Sequence, residues 1–268
     1  MPEYPEIAAR AAEMNELLTG KTISAIEVLQ PKCLNAPEER FKEALQGAML
    51  GGTAQRGKWL ANETTQGWLL LNMGMGGEIL LVDREHLPEK RRLIFDFVDG
   101  TCLAVNFWWF GYAHYLPPGP LEAHEMIGKL GPNVLDVSPE QWRAMLRGQK
   151  GGVKAFLLDQ SRLAGIGNAY VHDILWHARV HPLRKLNSLS NGEVDALWQG
   201  IQDALRPSLA KGGAFYELSL RGEKGGFLME DVIVGYREGE ACPRCGTAIA
   251  KIKTGGTSSF ICPSCQLA

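Results

Sequence analysis

Four cysteines near the C-terminus, Cys242, Cys245, Cys262 and Cys265, are spaced C-x2-C-x16-C-x2-C. Each CxxC turn can aim two thiolates at one tetrahedral ion, so the spacing predicts a single structural Zn2+. Pro243 and Pro263 stiffen the turns, and Gly246 suits the tight bend after the first pair. Four thiolates leave no open coordination position, which argues against a catalytic metal. A redox dithiol pair is the rival use of such turns. The other two cysteines, Cys33 and Cys102, read as small core residues. The opposite end carries a different chemistry. Pro2 follows the initiator Met1, a good context for methionine removal, which would leave a free secondary amine. An α-amino group has a pKa near 8, so it is partly neutral and nucleophilic at physiological pH. Such an amine can form a covalent iminium intermediate. Two carboxylates, Glu3 and Glu6, lie beside it.

These residues need elements to hold them. Pro5 and Glu6 suit a first helical turn. Ile7, Met14, Leu17 and Leu18 supply the apolar stripe of that helix, and Gly20 its stop. From Thr22 to Phe110 the pattern is strand-like, and in the clearest hairpin Asp99-Gly100 reads as a two-residue primed turn between β-rich runs. Short strands with glycine turns suggest a sandwich or barrel. The run Phe107-Trp108-Trp109-Phe110 ends this region, and alternation requires some of its rings to be buried. Leu116 to Pro120 reads as a linker, after which helical signals take over. Capping boxes at Ser138–Gln141 and Ser190–Glu193 open two helices, the second ending at Gly212. Gly212 to Gly226 reads as a mobile glycine-rich loop.

The chain of 268 residues has ordinary globular composition, 45 % hydrophobic and 22 % charged. Its net charge of −2 is not the basic footprint of a nucleic-acid binder, so any positive charge must gather on one face. No apolar run approaches the ~20 residues of a transmembrane helix, and MPEYPEIAAR has acids where a signal peptide has bases. A cytoplasmic protein is expected.

Three segments, the start M-P-E-x-P-E, the stretch Leu157 to Pro182 and the terminal CPRCG…CPSCQ, closely resemble the formamidopyrimidine-DNA glycosylase and endonuclease VIII family. They occur in the family's order, and NMGMGG (Asn72 to Gly77) leans towards the formamidopyrimidine branch. The resemblance implies an α+β fold: an N-terminal helix with a β-sandwich over 1–118, a helix–two-turn–helix domain over 119–225, and a zinc-ribbon hairpin over 226–268. Damaged DNA would lie in the cleft between the domains. It also implies a base-excision repair glycosylase with abasic-site lyase activity. Pro2 would attack C1′ of a flipped nucleotide to give a Schiff base, with Glu3 as general acid and Glu6 orienting. Lys58 matches the family lysine that reaches the lesion's phosphates from a strand. Lys154 and Asn168 match backbone contacts, the latter in the Gly165–Asn168 entry to a helix. Met75 and Phe110 match two of the three side chains that fill the space left by the flipped base.

The third of those positions, an arginine in the family, is Trp109. An indole stacks but cannot make arginine's paired contacts with an opposite base. Asn72 stands where the family has His, and Thr257 where the zinc hairpin has an Arg for lesion phosphates; Lys251 or Lys253 is expected to compensate. These departures cluster on the DNA-gripping residues, so an alternative is a lesion- or structure-specific DNA-binding protein with weak or no turnover. The expected partner is damaged DNA, bound by a monomer without membrane attachment, in a bacterial-type cytoplasm and on its nucleoid.

Overall fold

The computed structural model describes residues 1–108 and 110–267. The chain divides into two compact units, Met1–Lys129 with Lys211–Gly226, and Leu130–Ala210 with Phe227–Ala268. No helix among the described residues is long and apolar enough to cross a membrane.

The first unit opens with helix α1 (Tyr4–Leu17). Its stripe of Ile7, Ala11 and Met14 is buried in the main core, together with Leu18 just beyond the helix. Eight strands follow: β1 (Ile23–Val28), β2 (Leu50–Arg56), β3 (Trp59–Thr64), β4 (Gly67–Asn72), β5 (Glu78–Asp83), β6 (Leu93–Phe97), β7 (Thr101–Asn106) and β8 (Tyr112–Leu116). They form two four-stranded antiparallel sheets, ordered β1-β6-β7-β5 and β2-β3-β4-β8. Ile26, Phe95, Leu103 and Val105 from one sheet and Leu60, Leu69 and Leu71 from the other meet in one core. The strand-rich reading of this region therefore holds. The expected hairpin joins β6 to β7, but the turn is Val98-Asp99-Gly100 and not a two-residue primed turn: the Gly100 N–H bonds the Phe97 carbonyl (3.0 Å), and Gly100 alone in the turn takes a positive φ, +88°.

One helix escaped that reading. Helix α2 (Glu38–Leu45) interrupts the strands and buries Phe41 and Leu45. Its signal was available, since Pro37 and the acids Glu38 and Glu39 precede an apolar pair four apart. Edge strand β2 is covered by α1: Asn15 donates to the Thr53 carbonyl (2.8 Å) and accepts from the Thr53 N–H (2.7 Å). One asparagine thus satisfies both backbone groups of an otherwise open edge residue.

Behind the second sheet, Trp59 packs against His114 and His124, with ring centroids 5.5 and 5.2 Å away. The Ile127 N–H donates to His124 Nδ1 (3.2 Å), so the His124 proton sits on Nε2 and is given to His114 Nδ1 (2.8 Å). This arrangement needs both rings neutral. Burial, with the second imidazole adding to it, pulls His114 down from 6.5 to about 4. The unfolded chain takes up that proton near pH 6.5 and the folded chain only near 4. Stability is therefore complete above pH 6.5 and is lost as the pH falls, by roughly 3 kcal/mol from this residue. Urea midpoints of wild type should drop between pH 6.5 and 4, and His114→Gln should flatten the drop; parallel curves would refute the assignment.

The second unit contains α3 (Pro139–Leu146), α4 (Val153–Leu158), α5 (Val171–His177) and α6 (Asn191–Ala210). Both expected capping boxes form. Ser138 N donates to Gln141 Oε1 (2.8 Å) and Ser190 N to Glu193 Oε2 (2.8 Å), each serine hydroxyl accepting in return. The unit closes with the hairpin β9 (Ala250–Thr254) and β10 (Thr257–Ile261).

Candidate active site and zinc centre

Met1 is exposed, whereas Pro2, Glu3 and Glu6 are buried. Glu3 caps α1, and its N–H donates to Glu6 Oε2 (2.8 Å). The other oxygen of Glu6 accepts from the Ala214 N–H (3.1 Å). Glu6 is thereby pinned between the start of the chain and the segment Lys211–Gly226. That segment, read from its glycines as a mobile loop, is tied into the first unit by hydrogen bonds. Arg10 donates to the Leu218 and Gly212 carbonyls, Glu13 accepts from the Leu220 N–H (2.7 Å), and the Leu81 N–H bonds the Leu220 carbonyl (2.8 Å). Gly213, at φ +97°, explains one of the glycines: a Cβ there would meet Glu6 Cγ at 3.0 Å.

This packing brings in a residue the sequence reading did not single out. Glu217 lies within electrostatic reach of Glu6, Arg10, Glu78 and the amino terminus. Burial first, and the charge of Glu6 second, push its carboxyl up to about 7, while the amino terminus and Arg10 oppose the shift. A carboxyl poised there can hold a proton and release it at neutral pH. No sequence motif marks it, because its effect depends on where a glycine-rich segment returns.

Lys58 does not lie in a strand. It occupies the two-residue turn Gly57-Lys58 between β2 and β3, with Gly57 at φ +58°. Gln55 Nε2 donates to the carbonyls of Tyr4 (3.1 Å) and Gly57 (3.0 Å), tying the first residue of α1 to this turn. Asn72 Nδ2 donates to the Lys58 carbonyl (3.2 Å), and Asn72 Oδ1 accepts from the Gly74 N–H (3.0 Å). Asn72, noticed in the sequence only as a departure, is thus the brace between the lysine turn and the bend leading to Met75.

Met75 is exposed, and its carbonyl accepts from the Trp108 N–H (3.1 Å). Of the aromatic run, Phe107 is buried, while Trp108 and Phe110 are 59 % and 67 % exposed. Phe110 also holds φ +57°, a costly conformation for a bulky side chain. Two exposed aromatics and a methionine on adjoining loops, one of them strained, mark a contact surface. Trp109 lies outside the described residues.

In the second unit, Asn168 is in the turn before α5, and Nδ2 donates to the Tyr236 hydroxyl (3.2 Å). Tyr236 is held at φ +60°, after the N–H groups of Ile233, Val234 and Gly235 all bond the Asp173 carboxylate. Lys154 is 4 % exposed on α4 and reaches the hairpin instead of open solvent.

Cys242, Cys245, Cys262 and Cys265 have Sγ atoms within 4.8 Å of one another. Individual separations of 3.4 to 4.0 Å bracket the ~3.8 Å edge of a tetrahedron with Zn–S bonds of about 2.3 Å. They are far too long for disulfides. The donor set therefore fits one structural zinc with no open position. Trp176 Nε1 donates to Cys242 Sγ (3.3 Å), and the Arg244 guanidinium stacks 3.9 Å over the Trp176 ring. A neutral donor and a nearby cation both ease the burial of thiolate charge.

A capped N-terminal helix on a β-sandwich, a helical unit and a four-thiolate hairpin define a class of zinc-finger DNA-repair proteins. Residues 1–106 match the formamidopyrimidine-DNA glycosylase N-terminal domain, 130–219 that family's H2TH domain, and 239–268 the zinc finger found in FPG and IleRS. Formamidopyrimidine-DNA glycosylase of Streptococcus pneumoniae is 34 % identical over 274 residues, and that of Pelotomaculum thermopropionicum 32 % over 273, each alignment covering 99 % of both chains. The structure is similar to Lactococcus lactis Fpg in complex with an abasic site containing DNA (TM-score 0.91, 29 % identity, 99 % of this chain and 100 % of that one). It is also similar to MutM in complex with carbocyclic 8-oxo-G containing DNA (TM-score 0.90, 29 % identity, 100 % of both chains). The chain belongs to the formamidopyrimidine-DNA glycosylase family.

Proposed function

We propose that the chain is a base-excision repair DNA glycosylase and abasic-site lyase whose nucleophile is the amine of Pro2. The observation that carries this reading is the buried cluster at the amino terminus, where the Glu3 N–H donates to Glu6 and Glu6 in turn accepts from the returning segment. The Pro2 nitrogen forms a bond to C1′, and the glycosidic electron pair leaves with the damaged base, which takes up a proton. Glu3 supplies a proton to the opening sugar ring oxygen. The resulting iminium draws electrons from C2′, so loss of the C2′ proton expels the 3′ phosphate, and a second elimination releases the 5′ phosphate. Lys58, held by Gln55 and Asn72, binds lesion phosphates. Met75, Trp109 and Phe110 fill the space of the flipped base, Asn168 contacts the backbone, and Lys154 adds its charge to that grip from behind the hairpin. The zinc keeps the hairpin folded and takes no part in bond making. The protein works as a monomer in the bacterial cytoplasm.

Borohydride reduction during incubation with duplexes containing an abasic site or an oxidised purine tests the enzyme reading. A covalent protein–DNA adduct is expected. Tight binding with no adduct on any lesion would instead favour the binding-protein reading, which the departures at Trp109 and Thr257 support.

A further inference from the structure

Lys154 carries a buried ammonium with no carboxylate in ion-pair contact among the described residues. Its Nζ faces four oxygens of the hairpin: Ser258 O and Ser259 Oγ at 2.8 Å, Thr257 Oγ1 at 3.0 Å and Thr254 Oγ1 at 3.2 Å. An ammonium has three N–H groups, so these acceptors more than satisfy it, yet none brings a counter-charge. A hydroxyl that accepts from an ammonium must turn its own proton elsewhere. Thr254 and Ser259 share a hydrogen bond with each other (2.7 Å), and Thr254 also faces the Thr257 carbonyl (3.4 Å). Thr257 differs. It is exposed at the start of β10, and among the described residues its hydroxyl has no other partner.

The register of the hairpin decides which basic residues share this face. Thr257 pairs with Thr254 and Ser259 with Ile252, whereas Lys251 and Lys253 pair with Phe260 and Ser258. Side chains alternate along a strand, so the two exposed lysines belong to the opposite face, and Lys251 lies over the Phe260 ring (5.8 Å). Neither is aligned with Thr257. The compensation expected from Lys251 or Lys253 is instead available from Lys154, a hundred residues away in sequence.

We infer that Thr257 and Lys154 together form a phosphodiester-binding site, in which the Thr257 hydroxyl, polarised by the buried ammonium, donates to a backbone phosphate of the bound DNA. The inference rests on the DNA-binding part of the function proposed above. The phosphate supplies the counter-charge that the cage lacks, while the hydroxyl carries the direct contact that a lysine held 4 % exposed cannot make. Burial alone pulls Lys154 down from 10.5 to about 8, so its charge is switchable near neutral pH. The facing titratable group is His172 on α5, which burial holds neutral down to about 3. Asp173 on the same helix is turned away, its oxygens committed to Ile233, Val234 and Gly235.

The test is equilibrium binding of the full-length zinc protein to a duplex carrying an uncleavable abasic-site analogue, over a range of salt and pH. Thr257→Val should weaken binding roughly 10-fold or more, and Thr257→Ser should restore it. Lys154→Met should lower the slope of log affinity against log salt by about 1. Wild-type affinity should fall as pH rises past about 8, and this fall should vanish in Lys154→Met. One zinc per chain in each variant separates a lost contact from a lost fold. Equal affinity of Thr257→Val and wild type would overturn the site, as would an unchanged salt slope in Lys154→Met. Binding without a borohydride adduct would remove the glycosylase reading and leave this site standing.

Discussion

Protein that retains Met1 will give no borohydride-trapped adduct on abasic DNA, and the same protein after methionine removal will give one. The reason is electronic. With Met1 in place the Pro2 nitrogen belongs to a tertiary amide, whose lone pair is delocalised into the carbonyl and cannot attack C1′. Removal converts it to a secondary amine with a pKa near 8. Geometry favours the trimming, since Met1 is half exposed while Pro2 and Glu3 behind it are buried. Pro2→Gly offers a primary amine without the ring that fixes its direction, and single-turnover lyase rates should fall by on the order of 10³. Intact mass sorts the two forms, and an adduct on Met1-retaining chains would sink the assignment. Affinity for an uncleavable duplex should change little, because the substitution leaves the proposed phosphate-binding residues alone.

Metal removal is expected to act more broadly. Four thiolates with separations of 3.4 to 4.0 Å repel one another strongly once the ion is gone. Zinc contributes about 10–16 kcal/mol of apparent binding energy in small modules of this kind, which is folding energy in that part of the chain. The module has little else: its core comprises Trp176, Val234, Cys242, Ile249, Phe260 and Cys262, two of them zinc ligands. Chelation should release one zinc per chain and erase hydrogen-exchange protection of β9 and β10. The cage around Lys154 is built on those strands, so DNA binding should be lost with them. The first unit should keep its protection, since among the described residues the four thiolates grouped for a metal all lie in the second unit. A hairpin that stays protected without zinc would contradict this account.

The sequence was informative wherever chemistry is local. The two CxxC turns and the capping boxes at Ser138 and Ser190 rest on residues a few positions apart and form as read, whereas the hairpin at Asp99-Gly100 forms through a turn one residue longer than its sequence suggests. The strand region was legible in kind, but α2 was hidden within it because its helix is only 8 residues long. What could not be read is what depends on return paths. Asn72 bracing the Lys58 turn, Gln55 linking that turn to Tyr4, and Glu217 settling beside Glu6 span separations from 14 to over 200 residues. Lys154 is the clearest case. Its match to a phosphate-binding lysine suggested an open side chain, whereas the hairpin's hydroxyls enclose it.

The segment Lys211–Gly226 has a consequence for how the molecule is made. The chain leaves the first unit at Lys129, returns at Lys211 and leaves again at Gly226. The partners that Glu6, Arg10 and Glu13 find in this segment are therefore synthesised more than 200 residues after them. On the ribosome the amino terminus spends most of translation without them, open to an aminopeptidase. Its buried neighbourhood closes only near the end of synthesis, so exposure of Pro2 comes first and enclosure second. A fragment ending at Lys129 would keep Pro2 but leave Arg10 without its acceptors Gly212 and Leu218, and should be poorly soluble.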